Sequence, residues 1–326
     1  MSGFVGIDVA KDELVVYLMW ESGGRSEECV VKNDKSGFKT LMNWLKKRTG
    51  KEAHVCLEAT GIYGDAITEA LHEKGYRVSV VNPARISAYA QSQMRRNKTD
   101  GLDAELIADY CRTQNPMLWT PPTPAVKELR QLVRHLDNLK QEKVRAENRR
   151  SVEQHTAIIE QLTAQIDLLV QQIEEIKQAI KDLIKRDPTL RKEVELLESI
   201  PGIGILTAAV ILSELGDIHR FDDVRQVVAF VGLNPRQSQS GRKRTSVGIS
   251  RMGRSSLRAA LYLPAVVAKN CNPILSVFAK RMLSNGLTPM QTVVAVMRKL
   301  LHLVYGILKS GRPFDPNYLS STPLPS

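Results

Sequence analysis

Four carboxylates lie in three short motifs of this chain of 326 residues. Asp8 falls in Gly-Ile-Asp-Val-Ala, Glu58 in Cys-Leu-Glu-Ala-Thr-Gly, and Asp100 with Asp103 in Asn-Lys-Thr-Asp-Gly-Leu-Asp-Ala. Asp8 and Glu58 each end an apolar, strand-like stretch, where a buried carboxylate without a partner is costly. Asp100 and Asp103 are three residues apart and therefore share one face of a helix. Mg²⁺, or Mn²⁺ in its place, takes oxygen ligands, and two such ions together assist phosphoryl transfer, so the four acids predict a pair of metal ions.

Each of these acids also has a purely structural explanation. Asp8 would cap a turn, Glu58 would pair with a lysine, and Asp100 with Asp103 would stabilise the positive end of a helix dipole. The Gly-Ile-Asp string further resembles the first phosphate loop of sugar kinases and actin-like ATPases, which share this strand order. That alternative is disfavoured because no later glycine-rich phosphate or adenosine loop follows.

A second group of reactive side chains lies in residues 233–245, which predict an irregular loop. Ser238 and Ser240 carry hydroxyls that could attack phosphorus if a base takes the proton and cations stabilise the pentavalent charge. No histidine or acid lies nearby in the sequence, so hydrogen bonding of the serines to phosphate is the simpler interpretation. The cations of this loop are Arg236, Arg242, Lys243 and Arg244.

The net charge of +11 is unevenly placed. Between Asp223 and Asp315 there is no acid but there are fifteen lysines and arginines, Arg251 and Arg254 among them. Solubility charge normally mixes both signs. A basic, acid-free tract instead indicates a polyanionic partner, with one half of the chain binding phosphates and the other supplying metal ligands.

Residues 199–212 match the helix-hairpin-helix pattern. Gly202 and Gly204 permit a tight turn, and the helix that follows offers free backbone N–H groups to a phosphate. A structural hairpin that binds nothing is the alternative interpretation.

The elements that must position the acids predict an α/β fold. Residues 4–9, 13–20 and 27–32 predict an antiparallel three-stranded meander. Residues 53–58 and 77–82 predict parallel strands joined through helices by right-handed crossovers. Three antiparallel strands followed by parallel ones, with an acid after the first strand, is the layout of the RNase H-like fold. The predicted helices are 36–47, 62–74 and 105–112.

A long helical segment follows a cluster of prolines. Residues 125–186 contain no proline or glycine and predict one long helix, whose second half carries a coiled-coil heptad. A second protomer is favoured as the partner of this seam over a neighbouring helix of the same chain, because four apolar heptads exceed what one packed face requires. The seam residues are Ile159, Leu162, Ile166, Leu169, Ile173, Ile176, Ile180 and Leu183.

The chain is thus expected to be α/β plus all-α, in three regions. They are an RNase H-like domain at 1–120, a coiled-coil region at 121–187, and a basic, all-helical domain at 188–326 that ends in a disordered tail from 318. The four cysteines form no Cys-x-x-Cys pair, which fits a reduced cytoplasm. No export signal or run of eighteen apolar residues occurs, so a soluble, cytoplasmic protein without a membrane partner is expected.

Further strings follow the acidic motifs in order: Ile-Pro-Gly-Ile-Gly, Gly-Leu-x-Pro-Arg, Gln-Ser-Gly, and a terminal Arg-Lys-Leu with Gly-Ile-Leu-Lys-Ser-Gly. Together with Gly-Ile-Asp-Val-Ala-Lys, Glu-Ala-Thr-Gly and Asn-Lys-Thr-Asp-x-x-Asp-Ala, they resemble the DEDD-type insertion-sequence transposases of the "one-ten" family. The resemblance extends over nearly the whole chain, and no core motif departs from the pattern.

This resemblance implies a RuvC-like N-terminal domain, a C-terminal transposase domain, and a DNA recombinase guided by a structured RNA. It also implies that Ser240, selected over Ser238 by the glycine that follows it, forms a covalent 5′-phosphoserine link to cleaved DNA. The implied partners are target and donor DNA, a guide RNA, and further copies of the chain as a dimer that assembles to a tetramer. The implied metal-binding quartet is Asp8, Glu58, Asp100 and Asp103.

Three functions compete at this level. The leading hypothesis is a serine-nucleophile, Mg²⁺-dependent transposase or recombinase, and DNA invertases share the same catalytic pattern. The second is a RuvC-like hydrolytic nuclease such as a junction resolvase, in which water attacks. The third is a nucleic-acid-binding protein without enzymatic activity. Because the acids lack a nucleophile and the serine loop lacks a base, the leading hypothesis predicts a composite site that uses both domains.

Overall fold

The computed structural model describes residues 3–21, 25–59, 61–93, 100–240, 243–250 and 252–317, without the side chains of residues 62, 100, 236–240 and 243–247. The predicted tail from residue 318 lies outside these ranges. The chain divides into two compact units, Met1–Pro121 and Pro122–Ser326, and the division falls within the proline cluster.

The first unit contains a five-stranded mixed sheet in the order β3-β2-β1-β4-β5. The first three strands form the predicted antiparallel meander, and β4 and β5 extend it in parallel with β1. The predicted antiparallel meander followed by parallel strands is therefore confirmed. The narrower RNase H-like assignment stays a prediction. The strands are β1 Gly3–Val9, β2 Glu13–Trp20, β3 Ser26–Lys32, β4 His54–Glu58 and β5 Arg77–Val81.

Helices cover both faces of this sheet. Side chains such as Ile7 and Leu57 pack on one face against α1 and α2, whereas Cys56 packs on the other face against α3 and α4. Helix α3 was not predicted; Asn82 caps it by accepting a hydrogen bond from the backbone N–H of Ala84, 2.8 Å away. The helices are α1 Lys35–Thr49, α2 Asp65–Glu73, α3 Pro83–Ser92 and α4 Asp100–Gln114, with a 3-10 turn at Gly61–Tyr63.

The second unit is mainly helical and has one continuous core. Its strands form a two-stranded antiparallel sheet, β6 Pro235–Ser240 and β7 Lys243–Ile249. The helices are α5 Pro124–Val152, α6 Thr156–Arg186, α7 Pro188–Glu198, α8 Ile205–Leu215, α9 Val224–Val231, α10 Ser255–Cys271, α11 Pro273–Ser284 and α12 Pro289–Ser310, with a 3-10 turn at Ile218–Arg220.

The prediction of one long helix over 125–186 was wrong. The backbone at Glu153 is extended, and its side chain accepts hydrogen bonds from the N–H groups of Gln154 and His155 at 2.8 and 3.0 Å. A side chain that satisfies free backbone donors can end a helix without proline or glycine. Helices α5 and α6 then run antiparallel, because Arg186 at the end of α6 donates to both carboxylate oxygens of Glu128 near the start of α5.

The heptad seam on α6 packs within its own chain. Seam residues such as Ile166 and Ile173 are buried in the same core as Leu129 and Leu136 of α5. The interpretation favoured from the sequence, a second protomer on this seam, is corrected accordingly: the intramolecular partner covers these residues. The oligomeric state itself stays a prediction.

The predictions of an all-helical last domain and of an irregular loop at 233–245 were also wrong. Both flanks of the segment form the β6–β7 hairpin, in which Ser238 pairs with Thr245 and Ser240 with Lys243. The strands consist mainly of polar residues, with Val247 and Ile249 as the apolar exceptions, and β6 lacks the apolar alternation by which a half-buried strand is recognised. Pairing between the two strands, not intrinsic preference, decides this conformation.

Among the described residues one helix, α12, is long and apolar enough to cross a bilayer. Half of that stretch is buried inside the second unit, and residues such as Val296, Leu300 and Val304 belong to its core. A core helix meets the same length and composition test, so α12 is explained by packing. The cytoplasmic location stays a prediction.

Candidate active site

Asp8 and Glu58 lie at the carboxyl ends of neighbouring parallel strands. The register pairs Ile7 of β1 with Leu57 of β4, and the next residue on each strand is the carboxylate. Side chains alternate along a strand, so Asp8 and Glu58 project from the sheet face opposite to Ile7 and Leu57. Both are partly exposed. The structure therefore brings these two predicted ligands to one edge and one face of the sheet.

Helix α4 crosses that same face at Gly6. A Cβ atom at Gly6 would lie 2.0 Å from the carbonyl oxygen of Ala104 and 2.4 Å from the amide nitrogen of Ala108. Only glycine permits so close an approach of a helix backbone to a strand. Because Asp8 is two residues beyond Gly6 on the same face, the α4 backbone passes directly beside the carboxylate edge.

The acidic first turn of α4 directly precedes the point at which the helix crosses Gly6. The thiol of Cys111, near the end of α4, donates to the carbonyl oxygen of His54, the first residue of β4, over 3.5 Å. The end of the helix thus lies at the beginning of β4, its middle crosses β1 at Gly6, and Gly101 in its first turn lies near Glu28 of β3. That first turn contains Asp103, which is partly exposed, and begins at Asp100.

The four predicted ligands are all carboxylates, and carboxylate oxygens are the ligands that a hard divalent cation prefers. Within the side chains that the structure describes, no three acidic, histidine or cysteine groups form a metal-binding cluster. The side chain of Asp100 lies outside that set. The Mg²⁺ prediction therefore depends on ligand chemistry and on the shared edge, and it stays a prediction.

Sequence analysis missed Asn33, which holds two loops at the carboxylate edge. Its Nδ2 donates to the carbonyl oxygen of Ala10, just after β1, at 2.8 Å and to that of Tyr63, after β4, at 3.1 Å. The residue joins the segments that follow the two acid-bearing strands. Its only sequence signal is an asparagine in an Asn-Asp pair between a strand and a helix, which is typical of any turn.

Two buried cysteines lie between β4 and α4, behind the carboxylates. Cys56 and Cys111 are fully buried. A hydrogen bond with Cys111 and burial raise the pKa of the Cys56 thiol well above its ordinary value. Cys56 therefore stays protonated at neutral pH and packs as a small apolar residue.

The hairpin that carries Ser240 is held at its base by α9 and α10. Ser240 is the last residue of β6, at the tip, whereas Ser238 is two residues nearer the base. At the base, the amide of Ser250 donates to the carbonyl oxygen of Asn234 at 2.7 Å. Arg258 Nη1 donates to the carbonyl oxygen of Val231, the last residue of α9, at 2.8 Å. The backbone of the second predicted site is thus a defined hairpin on a helical base.

The two glycines of the predicted phosphate-binding turn have different surroundings. Gly202 has a φ of +106°, and a Cβ there would lie 2.7 Å from the Cβ of Ala268 on α10. Packing of the turn against α10 therefore explains this glycine. Gly204 precedes α8, no described atom lies within 4 Å of its Cβ position, and its residue supplies no side-chain cap. The open helix N-terminus is at Gly204.

The predicted basic residues are only partly placed. Arg254 directly precedes α10, and its Nε is 3.9 Å from a carboxylate oxygen of Glu214. The backbones of Arg236, Lys243 and Arg244 belong to the β6–β7 hairpin. Arg242 and Arg251 lie outside the described residues.

Comparison with known proteins identifies the family. A model described as Transposase, for DEDD-type IS110 proteins, matches residues 5–152, and one described as Transposase IS116/IS110/IS902 family matches residues 194–280. The pilin gene-inverting proteins of Moraxella bovis and Moraxella lacunata are each 32% identical to this chain over 322 residues, which is 96% of this chain and 97% of each relative. The chain belongs to the IS110 family of transposases and recombinases. The transposase for insertion sequence element IS1111A of Coxiella burnetii is 46% identical over 70 residues, 22% of this chain and 19% of that protein.

Membership of the IS110 family confirms the resemblance stated from the motifs and implies DNA substrates. The chain is accordingly an enzyme of DNA strand cleavage and transfer, which replaces the interpretation as a binding protein without activity. The first IS110-family match contains the four acids, and the second contains Gly202, Gly204 and Ser240.

Proposed function

We propose that this IS110-family transposase cleaves and rejoins DNA through Ser240, assisted by Mg²⁺ that Asp8, Glu58, Asp100 and Asp103 hold. One observation carries the acidic half of this proposal: Asp8 and Glu58 end neighbouring parallel strands, and α4, whose first turn contains Asp103, crosses the same sheet face at Gly6. Structural caps or ion pairs would need no such convergence, because each acts on its own neighbours.

The carboxylates would bind the metal ions and hold them at the sheet edge. When bound, Mg²⁺ would stabilise charge on the phosphate oxygens and lower the pKa of an attacking hydroxyl. Gly6 and Asn33 would act as positioning residues, because the first lets α4 approach and the second joins the loops beyond the acids.

Ser240 would be the nucleophile. Its Oγ would attack phosphorus, form a 5′-phosphoserine ester and break the bond from phosphorus to the 3′ oxygen, which leaves as a hydroxyl after taking a proton. A 3′ hydroxyl of another strand would then attack the phosphoserine, form the new phosphodiester and release the serine. One phosphate ester replaces another at each step, so strand exchange needs no external energy source.

The group that attacks phosphorus distinguishes this mechanism from hydrolysis. A RuvC-like nuclease that used water would leave free 5′-phosphate ends and no protein–DNA link. The serine mechanism leaves a bond between protein and DNA that survives denaturation. The proposal therefore predicts a labelled adduct when the purified protein is incubated with Mg²⁺ and DNA carrying its recombination site, then denatured in detergent.

Ser238 offers a matched control for this experiment. Both serines belong to β6, and only Ser240 is at the hairpin tip. Ser240→Ala should abolish the adduct and cleavage while DNA binding is retained, and Ser238→Ala should leave the adduct. Cleavage by Ser240→Ala protein would exclude the covalent mechanism.

Inversion of a DNA segment is the second candidate outcome of the same chemistry. The relatives matched over 96% of this chain are named pilin gene-inverting proteins, whereas the IS1111A transposase matches over 22%. Both outcomes use the same cleavage and rejoining steps and differ in how the sites are arranged. Sequencing the products from a plasmid that carries the DNA flanking this gene would distinguish inversion from excision and insertion.

The guide RNA and the tetramer also belong to the proposal, and the family resemblance supports them. A single abundant, structured RNA that co-purifies with the protein would support guidance. Its loops should be complementary to the DNA sites. Particle masses of two and four chains, measured with and without DNA, would support assembly from dimer to tetramer.

A further inference from the structure

Two arginines share one aromatic ring near the base of the Ser240 hairpin. The Cζ atom of Arg220 lies 5.0 Å from the ring centroid of Phe230, and the Cζ atom of Arg254 lies 5.7 Å from the same centroid. Arg220 is also 4.6 Å from the ring of its neighbour Phe221. The two phenylalanine rings contact each other edge to face, with centroids 5.5 Å apart. The rings thus hold both guanidinium groups in place without neutralising their charge.

The charge on Arg220 has little compensation within the protein. Its Nε is buried and has no hydrogen-bond partner among the described atoms, and no described carboxylate lies within 4.0 Å of it. Asp217 acts on it electrostatically and raises its pKa, but less than burial lowers it. The carboxylate of Glu214 lies 3.9 Å from Arg254 and also accepts a hydrogen bond from Ser256. The partners of this carboxylate are therefore Arg254 and Ser256, not Arg220.

A third arginine adds to the positive charge. Arg130 on α5 donates its Nε to the carbonyl oxygen of Ser213 at 3.0 Å. Burial, together with the charges of Arg254 and Arg130, lowers the pKa of Arg220 to about 10. At neutral pH the group still carries its proton. A partly buried guanidinium is therefore kept charged beside two others, which costs stability unless an anion is present.

We propose that Arg220 and Arg254 bind a backbone phosphate of the nucleic-acid substrate at the base of the Ser240 hairpin. The guanidinium fork matches the oxygens of a phosphodiester, and a phosphate would compensate the charge of Arg220. Arg254 also directly precedes α10, does not cap it with its side chain, and donates its amide to the carbonyl oxygen of Phe230 at 3.0 Å. The phosphate would thus be held on the same base as the hairpin. This inference rests on the proposed function, because it takes the phosphate from DNA.

Arg220→Gln separates this role from a purely structural one, because the two predict opposite effects on stability. Loss of an uncompensated, partly buried charge should leave the unfolding temperature of the free protein unchanged or higher. DNA affinity should fall about tenfold at near-physiological salt, and the slope of log K against log salt should fall by about one. Arg220→Lys keeps the charge but loses the fork and should give an intermediate affinity.

Arg225 provides the matched control. It is an arginine of the same unit, 87% exposed, and its Nε lies 3.7 Å from Asp223. Arg225→Gln should leave the affinity and the salt slope unchanged, since it removes an exposed charge that already has an acid beside it. A drop in affinity equal to that of Arg220→Gln would show a general charge effect and overturn the assignment.

Inorganic phosphate tests the site without DNA chemistry. At constant ionic strength, replacing chloride with phosphate should raise the unfolding temperature of the wild type and raise that of Arg220→Gln much less. Strong destabilisation of Arg220→Gln with an unchanged salt slope would show that the arginine only supports the aromatic pair. Equal losses of affinity for duplex DNA and structured RNA would support a shared phosphate site, whereas a loss for neither would refute it.

The two proposals can fail separately. A wild-type protein that is stabilised by phosphate and loses affinity on Arg220→Gln, but forms no covalent adduct, would retain the phosphate site and lose the serine mechanism. A normal covalent adduct, with no effect of Arg220→Gln on DNA binding, would retain the serine mechanism and exclude the phosphate site.

Discussion

Asp8 and Glu58 directly follow a pair of cross-strand neighbours, Ile7 on β1 and Leu57 on β4. This register places the two carboxylates side by side, at the position where each of the two parallel strands ends. The antiparallel neighbour β2 pairs with β1 over its whole length, so the position of Asp8 is determined from both sides. Two acids at such an edge can share one cation, which a one-residue slip of either strand would prevent.

Asp8→Asn should reduce strand cleavage about 100-fold or more without lowering the unfolding temperature, because the amide keeps the shape of the side chain but is a poorer metal ligand. Gel assays of labelled DNA at several Mg²⁺ concentrations would measure the loss. Asp12→Asn changes an exposed acid in the following turn and should cleave normally. Equal activity of the two variants would argue against a metal-binding role, as would full cleavage in the presence of EDTA.

Gly6→Ala should displace α4 and destabilise the first unit by about 3 kcal/mol or more, because the new Cβ meets helix backbone at 2.0 Å. Denaturant titration would measure the free energy of unfolding. Thiol labelling gives a local readout, since displacement of α4 exposes the buried Cys111.

Gly101→Ala is the control for that substitution. Its Cβ would lie 3.9 Å from the nearest described side chain, and its φ is not in the left-handed region. The free energy of unfolding should change by less than about 1 kcal/mol, in the direction of greater stability. Similar effects of the two substitutions would contradict the close approach of α4 at Gly6.

Gly202→Ala should destabilise the second unit by about 3 kcal/mol, since alanine is strained at a φ of +106° and its Cβ would lie 2.7 Å from Ala268. Thermal unfolding would report the change. A fully stable Gly202→Ala protein would show that the turn does not pack against α10 as described.

Gly204→Asp should strengthen α8 and weaken DNA binding at the same time. Aspartate is a favoured N-cap and should stabilise the helix by up to about 1 kcal/mol, while its charge should repel a phosphate at the open N-terminus and lower affinity about tenfold. Gly204→Asn caps without the charge and should bind DNA normally. If both variants bind DNA as the wild type does, the turn is a structural hairpin.

Gly306→Ala should stabilise the protein by about 1 kcal/mol. Gly306 is exposed in the interior of α12, and no described atom lies within 4 Å of its Cβ position. Alanine there gains helix propensity without a clash. Calorimetry would measure the shift, and a loss of stability would mean that the glycine has a contact outside the described residues.

The strands of the first unit could be predicted because their signals are local. Alternating and continuous apolar residues mark β1, β2 and β4, and each pattern stops at a polar residue such as Asp8 or Glu58. The β6–β7 hairpin gave no such signal, because its residues are mainly polar and its pairing joins positions such as Ser238 and Thr245 across a turn. The break at Glu153 was missed because a side chain, not glycine or proline, ends α5.

The candidate residues themselves came from the sequence, with the exception of those that act only through contacts distant in the chain. Asn33 joins Ala10 to Tyr63, and Arg220 shares a ring with Arg254, yet none of these spacings forms a motif. Recognising them requires the folded chain.

The sequence by itself determined the acidic and serine-bearing motifs, the strand pattern that ends at Asp8 and Glu58, and the family. These features depend on residue type and short spacing. Tertiary structure alone decided that α4 crosses the sheet at Gly6, that α5 packs on the α6 seam, and that Arg220 Nε has no hydrogen-bond partner among the described atoms. Each of the latter depends on packing between residues far apart in the chain, where backbone approach and burial select one arrangement among many that local patterns allow.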